Sequence, residues 1–344
     1  MGDPLIGARH PVGRASARAT RRAWRLATLI ALAPAAAPGA AQAQGSALLT
    51  LADTTLFPEG IVRDAARGRW LLSSVRQRTV VAVDDSGHLT PFARDLPADV
   101  GAILGMRIDA ARGALFAASA AVPPMLRFTA SDTLRAEVLE FDLASGALRR
   151  RIALPPSARQ RVPGDIAIGP DGTLFVADGL AECIYVIPPH GEIRVITSPF
   201  IHSPQGMLFT RDGRALIAAD YRHGLIRIPL DGSEPISQIT DGEGRRIQGL
   251  DALAWHGDAL IATHNGRRPG RVVRIALSMD QRRIVDFTVL ETLDNAGEPT
   301  LGEVLGDAFI FIANSPWSAF DEAGARKPGP TLARPEIRRL PLAP

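Results

Sequence analysis

The chain of 344 residues has a single cysteine, Cys183, so no intramolecular disulfide holds it and a disulfide-stapled scaffold is excluded. Its apolar neighbours in AECIYVI mark that thiol as buried and inert. The 32 glycines follow no triplet period, which removes a collagen-like rod. No apolar run approaches the roughly 20 residues that a helix needs to span a bilayer. The serine-hydrolase elbow G-x-S-x-G, the Walker A loop, the dinucleotide fingerprint and H-E-x-x-H are all absent. A sustained period of 3.6 residues is missing beyond the first forty or so positions, which argues against a helical fold. What is present is a globular composition, 46% hydrophobic and 22% charged, and this excludes disorder as the main state.

The net charge of +3 is unevenly placed. Residues 1–43 carry Arg9, Arg14, Arg18, Arg21, Arg22 and Arg25 against one acid, Asp3. The short apolar stretch Leu26–Pro38 follows, and then Ala41-Gln42-Ala43, an A-x-A site. A basic segment, a short apolar segment and small residues at a cleavage point read as a secretory signal peptide over 1–43. The expected mature chain, 44–344, is periplasmic or secreted and has no membrane anchor. Without the leader, 33 basic residues face 35 acidic ones, a net charge of −2. No basic cluster remains, so a nucleic-acid partner is excluded.

The mature chain repeats itself. Units begin at Phe57 (FPEGIV), Leu104 (LGMRID), Pro163 (PGDIAI), Ser203 (SPQGML), Gly249 (GLDALA) and Glu298 (EPTLGE). Each runs from a short apolar strand through a turn such as GPDG or TRDG into a second strand: TLFVAD, ALIAAD, ALIATHN, AFIFIAN. An alternating third strand follows, as in GLIRIPL. Strand-length runs broken by Gly, Pro and Asp mean β-hairpins, and spacings of about 40 to 60 residues suit four-stranded blades. The expectation is an all-β, six-bladed β-propeller of antiparallel blades over 44–344, a monomer in one closed domain. Ser46–Asp53 (SALLTLAD) and PEIRRLPL at the C-terminus are placed to share the last blade.

FPEGI, SPQGMLFTRDGRALIAADY and GLDALAWHGDALIATHNGRRPGRVVRI together resemble the gluconolactonase-like propellers, which include senescence marker protein and luciferin-regenerating enzyme. The resemblance implies one divalent ion (Ca, Zn or Mn) at the channel mouth, held by residues that open the inner strands. Carried over residue by residue, the first-unit acid is Glu59 and the late-unit aspartate is Asp251. A middle-unit Asn becomes Gln205, longer by a methylene, and the other falls on Gly164 with Asp165 beside it. The implied metal set is therefore Glu59, Asp165, Gln205 and Asp251, oxygen donors of the kind hard cations take. The implied activity is hydrolysis of a small molecule such as a sugar lactone or ester, with Asp251 as general base.

Equivalent positions in a propeller converge on its axis, and the second strands end at Asp178, Asp220, His264-Asn265 and Asn314, beside the starts of the first strands. His264 is the one histidine within such a motif (ATHNG) and is a candidate acid/base. Arg107, Asn265, Glu298 and Asn314 are candidates for binding substrate; Arg107 could grip a carboxylate in bidentate fashion. Asp178 and Asp220 read as turn caps. Phe57, Met106 and Trp317 are candidates for an apolar pocket wall or for packing between blades. A non-catalytic propeller that binds a ligand or protein is the alternative, because the fold alone does not select a function.

Overall fold

The computed structural model describes residues 44–129, 135–293 and 298–343. The expected signal peptide, 1–43, lies outside the described residues. The chain enters through β1 (Ser46–Thr50) and lays down blade 1 as β2 (Pro58–Asp64), β3 (Arg69–Ser74), β4 (Thr79–Val83) and β5 (Leu89–Pro91). Blade 2 is β6 (Ala102–Asp109), β7 (Ala114–Ala120), β8 (Ala136–Asp142) and β9 (Leu148–Ala153). Blade 3 follows as β10 (Pro163–Ile168), β11 (Leu174–Asp178), β12 (Cys183–Ile187) and β13 (Arg194–Ile196). Blade 4 is β14 (Pro204–Phe209), β15 (Ala215–Asp220), β16 (Gly224–Pro229) and β17 (Ser237–Ile239). Blade 5 is β18 (Leu253–His256), β19 (Ala259–His264), β20 (Arg271–Leu277) and β21 (Ile284–Thr292). Blade 6 takes β22 (Gly302–Leu305), β23 (Ala308–Ile312) and β24 (Glu336–Pro341), and β1 completes it from the other end of the chain.

The result is the six-bladed, all-β propeller that the repeats predict, with every blade a four-stranded antiparallel sheet. Ring closure also follows expectation: β1 pairs with β24, from Ser46 opposite Arg339 to Thr50 opposite Glu336. Among the described residues no helix is long and apolar enough to cross a membrane.

Six hydrophobic clusters fill the six spaces between blades. Each sheet is covered on both faces, which explains why the second strands are continuous apolar runs rather than alternating ones. Leu71 packs toward blade 2 and Leu72 toward blade 6. Leu216 and Ile217 divide in the same way between blades 3 and 5, as Phe309 and Ile310 do between blades 5 and 1. Met106 is part of the cluster between blades 1 and 2, so it packs rather than lines a pocket. Cys183 is buried between blades 2 and 3, and desolvation pushes its thiol up to about 11.

Near the axis the inner strands meet backbone to backbone. A β-carbon on Gly105 would lie 2.2 Å from the carbonyl oxygen of Gly164, and one on Gly206 2.3 Å from that of Asp251. The Gly206 amide donates to that Asp251 oxygen at 3.0 Å. Glycine is required here because strand reaches strand with no room for a side chain. Gly105→Ala is accordingly expected to destabilise the protein by about 1–3 kcal/mol, the usual cost of overpacking. A thermal melt reads it, and an unchanged melting temperature would contradict this account of the axis.

Candidate active site at the channel mouth

The residue immediately before each of these close approaches faces the axis. One comes from every blade: Glu59, Leu104, Gly164, Gln205, Asp251 and Thr300, and all six line a single cavity of about 270 Å³. In blades 1 to 4 the ladder between first and second strands slips here, between Pro58 and Ile61, Ile103 and Met106, Pro163 and Asp165, and Pro204 and Met207. Such bulges free a residue from the sheet and re-aim its side chain.

Glu59, half-buried as a residue, and the buried Asp251 both line this cavity, and the surrounding protein desolvates both carboxyl groups. Desolvation is the largest cause that raises the Glu59 carboxyl, to about 8, followed by the charge of Asp251. Desolvation likewise raises Asp251, to about 7, with the charges of Asp165 and Glu298 adding to it. The two carboxyls are coupled, so a charge on Asp251 opposes loss of the proton from Glu59.

Each carboxylate is held by one oxygen. Glu59 Oε2 accepts from Trp317 Nε1 at 2.7 Å and from Ser315 Oγ at 3.3 Å. Asp251 Oδ2 accepts from Asn265 Nδ2 at 2.7 Å, and that amide also donates to the Pro299 carbonyl at 2.9 Å. The Tyr221 hydroxyl donates to Asn265 Oδ1 at 2.5 Å. Burial and the field of Asp251 and Glu59 hold the Tyr221 phenol well above its ordinary value, so it stays a donor. The chain Tyr221–Asn265–Asp251 therefore fixes amide and carboxylate alike. Glu59 Oε1 and Asp251 Oδ1 accept no hydrogen bond from the described residues.

Gln205 is anchored through Nε2 to the Ser203 hydroxyl at 3.2 Å and carbonyl at 3.4 Å, which leaves its amide oxygen for the cavity. Among the described residues no group of three or more His, Cys, Asp or Glu side chains is placed to hold a metal ion. The donors at the mouth are instead two carboxylate oxygens and one amide oxygen. They fit a hard cation that fills its other positions with water or substrate, and a cation there would relieve the mutual repulsion of Glu59 and Asp251.

Of the other expected site residues only Glu298 borders the cavity. Asp165 sits one residue beyond the cavity-facing position, where blades 1, 2 and 4 have glycine. Its Oδ2 accepts from the Met207 amide at 3.1 Å and from Arg107 at 3.2 Å. Arg107 also donates through Nε to the Ile166 carbonyl at 2.8 Å. Arg107 and Asp165 thus tie blades 2, 3 and 4 together, and neither lines the cavity. Asn314 holds the entry to β24, accepting from the Glu336 amide and donating to the Arg334 carbonyl, both at 2.8 Å. Glu298 borders the cavity and pairs with Arg268 at 2.5 Å.

His264 turns away from Glu59 and Asp251. It occupies the strand-end position of Asp178 and Asp220, whose carboxylates do cap: Asp178 accepts from Val162, Leu180 and Ala181, and Asp220 from His202, Ser203, Arg222 and His223. That position faces the incoming loop, and the next residue faces the channel. The offset accounts for Asn265 in the cavity and also finds Tyr221, the residue after Asp220, which sequence reasoning missed. Trp317 does line the cavity, and its ring meets Phe57 edge-on at 4.9 Å.

No family model and no curated protein matches this chain. Solved structures share its fold. The PQQ-bound aldose sugar dehydrogenase of Streptomyces coelicolor is 16% identical with a TM-score of 0.58, covering 87% of this chain and 98% of its own. A luciferin-regenerating enzyme is 13% identical with a TM-score of 0.55, covering 83% and 91%. A protein assigned by family as a gluconolactonase is 17% identical with a TM-score of 0.53, covering 88% and 93%. The likeness is one of architecture.

Both carboxyls are raised above their ordinary values of 4.5 and 3.8, so the folded state binds more protons than the unfolded one. Their contribution is then complete below about pH 4 and is lost as pH rises through 7 to 8. In metal-free buffer the melting temperature should fall by several degrees between pH 5 and pH 8.5. Glu59→Gln should flatten that fall, and an equally steep profile in the variant would show that the pair is not its source. Asn265→Ala removes the bond that lowers the Asp251 carboxyl, so carboxyl-carbon NMR titration should show Asp251 moving upward.

Proposed function

We propose that this propeller is a secreted or periplasmic, metal-dependent hydrolase of a small lactone or ester, a sugar lactone being the type substrate. The observation that carries the reading is the desolvated pair Glu59 and Asp251, each with one oxygen left open to a cavity of small-molecule size. The architecture shared with a gluconolactonase-family protein and a luciferin-regenerating enzyme agrees with it. Glu59 and Gln205 would hold the divalent ion beside Asp251, and the ion when bound would polarise a carbonyl and acidify water.

The chain's own residues carry the proton. Asp251 is the general base: its carboxyl, raised to about 7, is matched to a proton exchanged near neutral pH. Its Oδ1 takes a proton from water as the water oxygen bonds to the carbonyl carbon. The ring C–O bond then opens, and the proton passes from Asp251 to the departing oxygen. Asn265 keeps Oδ2 occupied, so Oδ1 is the working oxygen, and Tyr221 prevents the amide from turning over. Trp317 and Leu104 give the cavity its apolar wall.

A lactone panel assayed with Ca²⁺, Zn²⁺ or Mn²⁺ and after chelation tests the reading. Metal-stimulated turnover should fall by roughly 10²–10⁴ in Asp251→Asn, the usual range for a general base. Turnover indifferent to metal and to Asp251→Asn would overturn it. A protein that binds a lactone without turning it over would instead support the non-catalytic alternative, which Gly164 and Gln205 favour because they stand where the resemblance implies Asn ligands.

A further inference from the structure

Blade 5 departs from its neighbours at one place. Where blades 3 and 4 have buried Asp178 and Asp220, each holding backbone amides of the incoming loop and the following turn, blade 5 has His264. His264 is 2% exposed, yet neither ring nitrogen has a hydrogen-bond partner. The Gln248 backbone approaches its ring without reaching hydrogen-bond geometry. The histidine borders a cavity of about 860 Å³, larger than the one at the channel mouth and separated from it by Tyr221, which lines both.

The cavity is strongly basic. Arg246 comes from the loop entering blade 5, Arg267 from the turn after β19 and Arg271 from the start of β20. None of the three guanidinium groups has an ion pair or side-chain hydrogen bond among the described residues. Nearby acids are engaged elsewhere: Asp241 and Glu243 by Arg245, Glu298 by Arg268. The uncompensated field is felt at His264, where burial first, and then Arg267 and Arg271, lower the affinity for a proton. Phe287, on the outer strand β21, closes the remaining side with an exposed ring 6.5 Å from the imidazole and nearly perpendicular to it.

We infer that this cavity is a binding site for a small aromatic anion, its carboxylate or phosphate held by Arg246, Arg267 and Arg271 beside His264 and its ring placed against Phe287. Planar guanidinium groups bind carboxylate and phosphate oxygens in pairs, and a neutral imidazole can donate one hydrogen bond and accept another. A volume of 860 Å³ exceeds what a bare ion needs and lies within the range of organic-ligand pockets. The site does not depend on the hydrolase reading, since it shares neither Glu59 nor Asp251.

Isothermal titration calorimetry with phenyl phosphate, benzoate and benzyl alcohol tests the inference on the whole folded protein. At least one of the two anions should bind, more weakly as salt is raised, while benzyl alcohol should not. Phenyl phosphate without benzoate would identify a phosphate ester as the ligand class, and benzoate binding equally well a carboxylate. Arg267→Gln and Arg271→Gln should each weaken the bound anion about tenfold. Arg267 lies on an exposed turn, so its variant keeps the fold, which its melting temperature verifies. No binding of either anion at millimolar concentration, an affinity unchanged in both variants, or benzyl alcohol binding as tightly as the anions would overturn the proposal.

Discussion

At the propeller axis the inner strands of blades 1, 2 and 4 come so close to the next blade that glycines, rather than side chains, meet its backbone. Gly60, Gly105 and Gly206 each point at the backbone of the next blade, and a methyl group at any of them would meet an oxygen within 2.6 Å. Blade 3 solves the same problem differently: Asp165 bridges to the Met207 amide and to Arg107. This crowding fixes where the preceding residue in each of these blades must point. The cavity at the mouth is thus a by-product of closure, and its six lining positions are set by backbone geometry before any chemistry is chosen for them.

The choice made at those positions is costly for folding. Two carboxylates stand desolvated with no basic residue beside them, and their hydrogen bonds from Trp317, Ser315 and Asn265 reach only one oxygen of each. A site built for stability would have placed an arginine there, as the protein does for Asp64, which takes Arg67 and Arg69. Strain retained at a concave site is what a catalytic or cation-binding role would explain. The basic cavity behind Tyr221 shows the opposite imbalance, guanidinium groups without acids, so the two cavities differ in sign across a single phenol.

Much of this was legible in the sequence. Six recurrences of strand, turn and strand fix the number of blades, and SALLTLAD falls beside PEIRRLPL because a ring needs both ends. Glu59, Gln205 and Asp251 follow from the resemblance to gluconolactonase-like propellers and Asn265 from its place at the end of a second strand, and all four reach the cavity. Asp165, Arg107, Asn314 and His264 were placed near the mouth by the same reasoning, and the structure turns each away. A shift of one residue along a strand reverses the side to which a side chain points, and a bulge at the start of the inner strand decides which of Gly164 and Asp165 faces in. No single repeat reveals that bulge. Tyr221 was missed because it follows an aspartate that caps a turn, and only comparison with Asn265 shows the two to be equivalent.

The pairing of β1 with β24 has a bearing on how the molecule comes into being. β1 is an edge strand whose partner, β24, follows it only after five whole blades and two further strands have been made. Until then blade 6 lacks its outermost strand, β1 has an unpaired backbone edge, and the cluster that includes Leu49, Ile61 and Ile337 stays open. Contacts so distant in sequence form slowly, and an unpaired edge is where a nascent chain joins the wrong neighbour. Until β24 is made this protein is an arc of blades, and its dependence on helper proteins should be greatest just before that strand arrives.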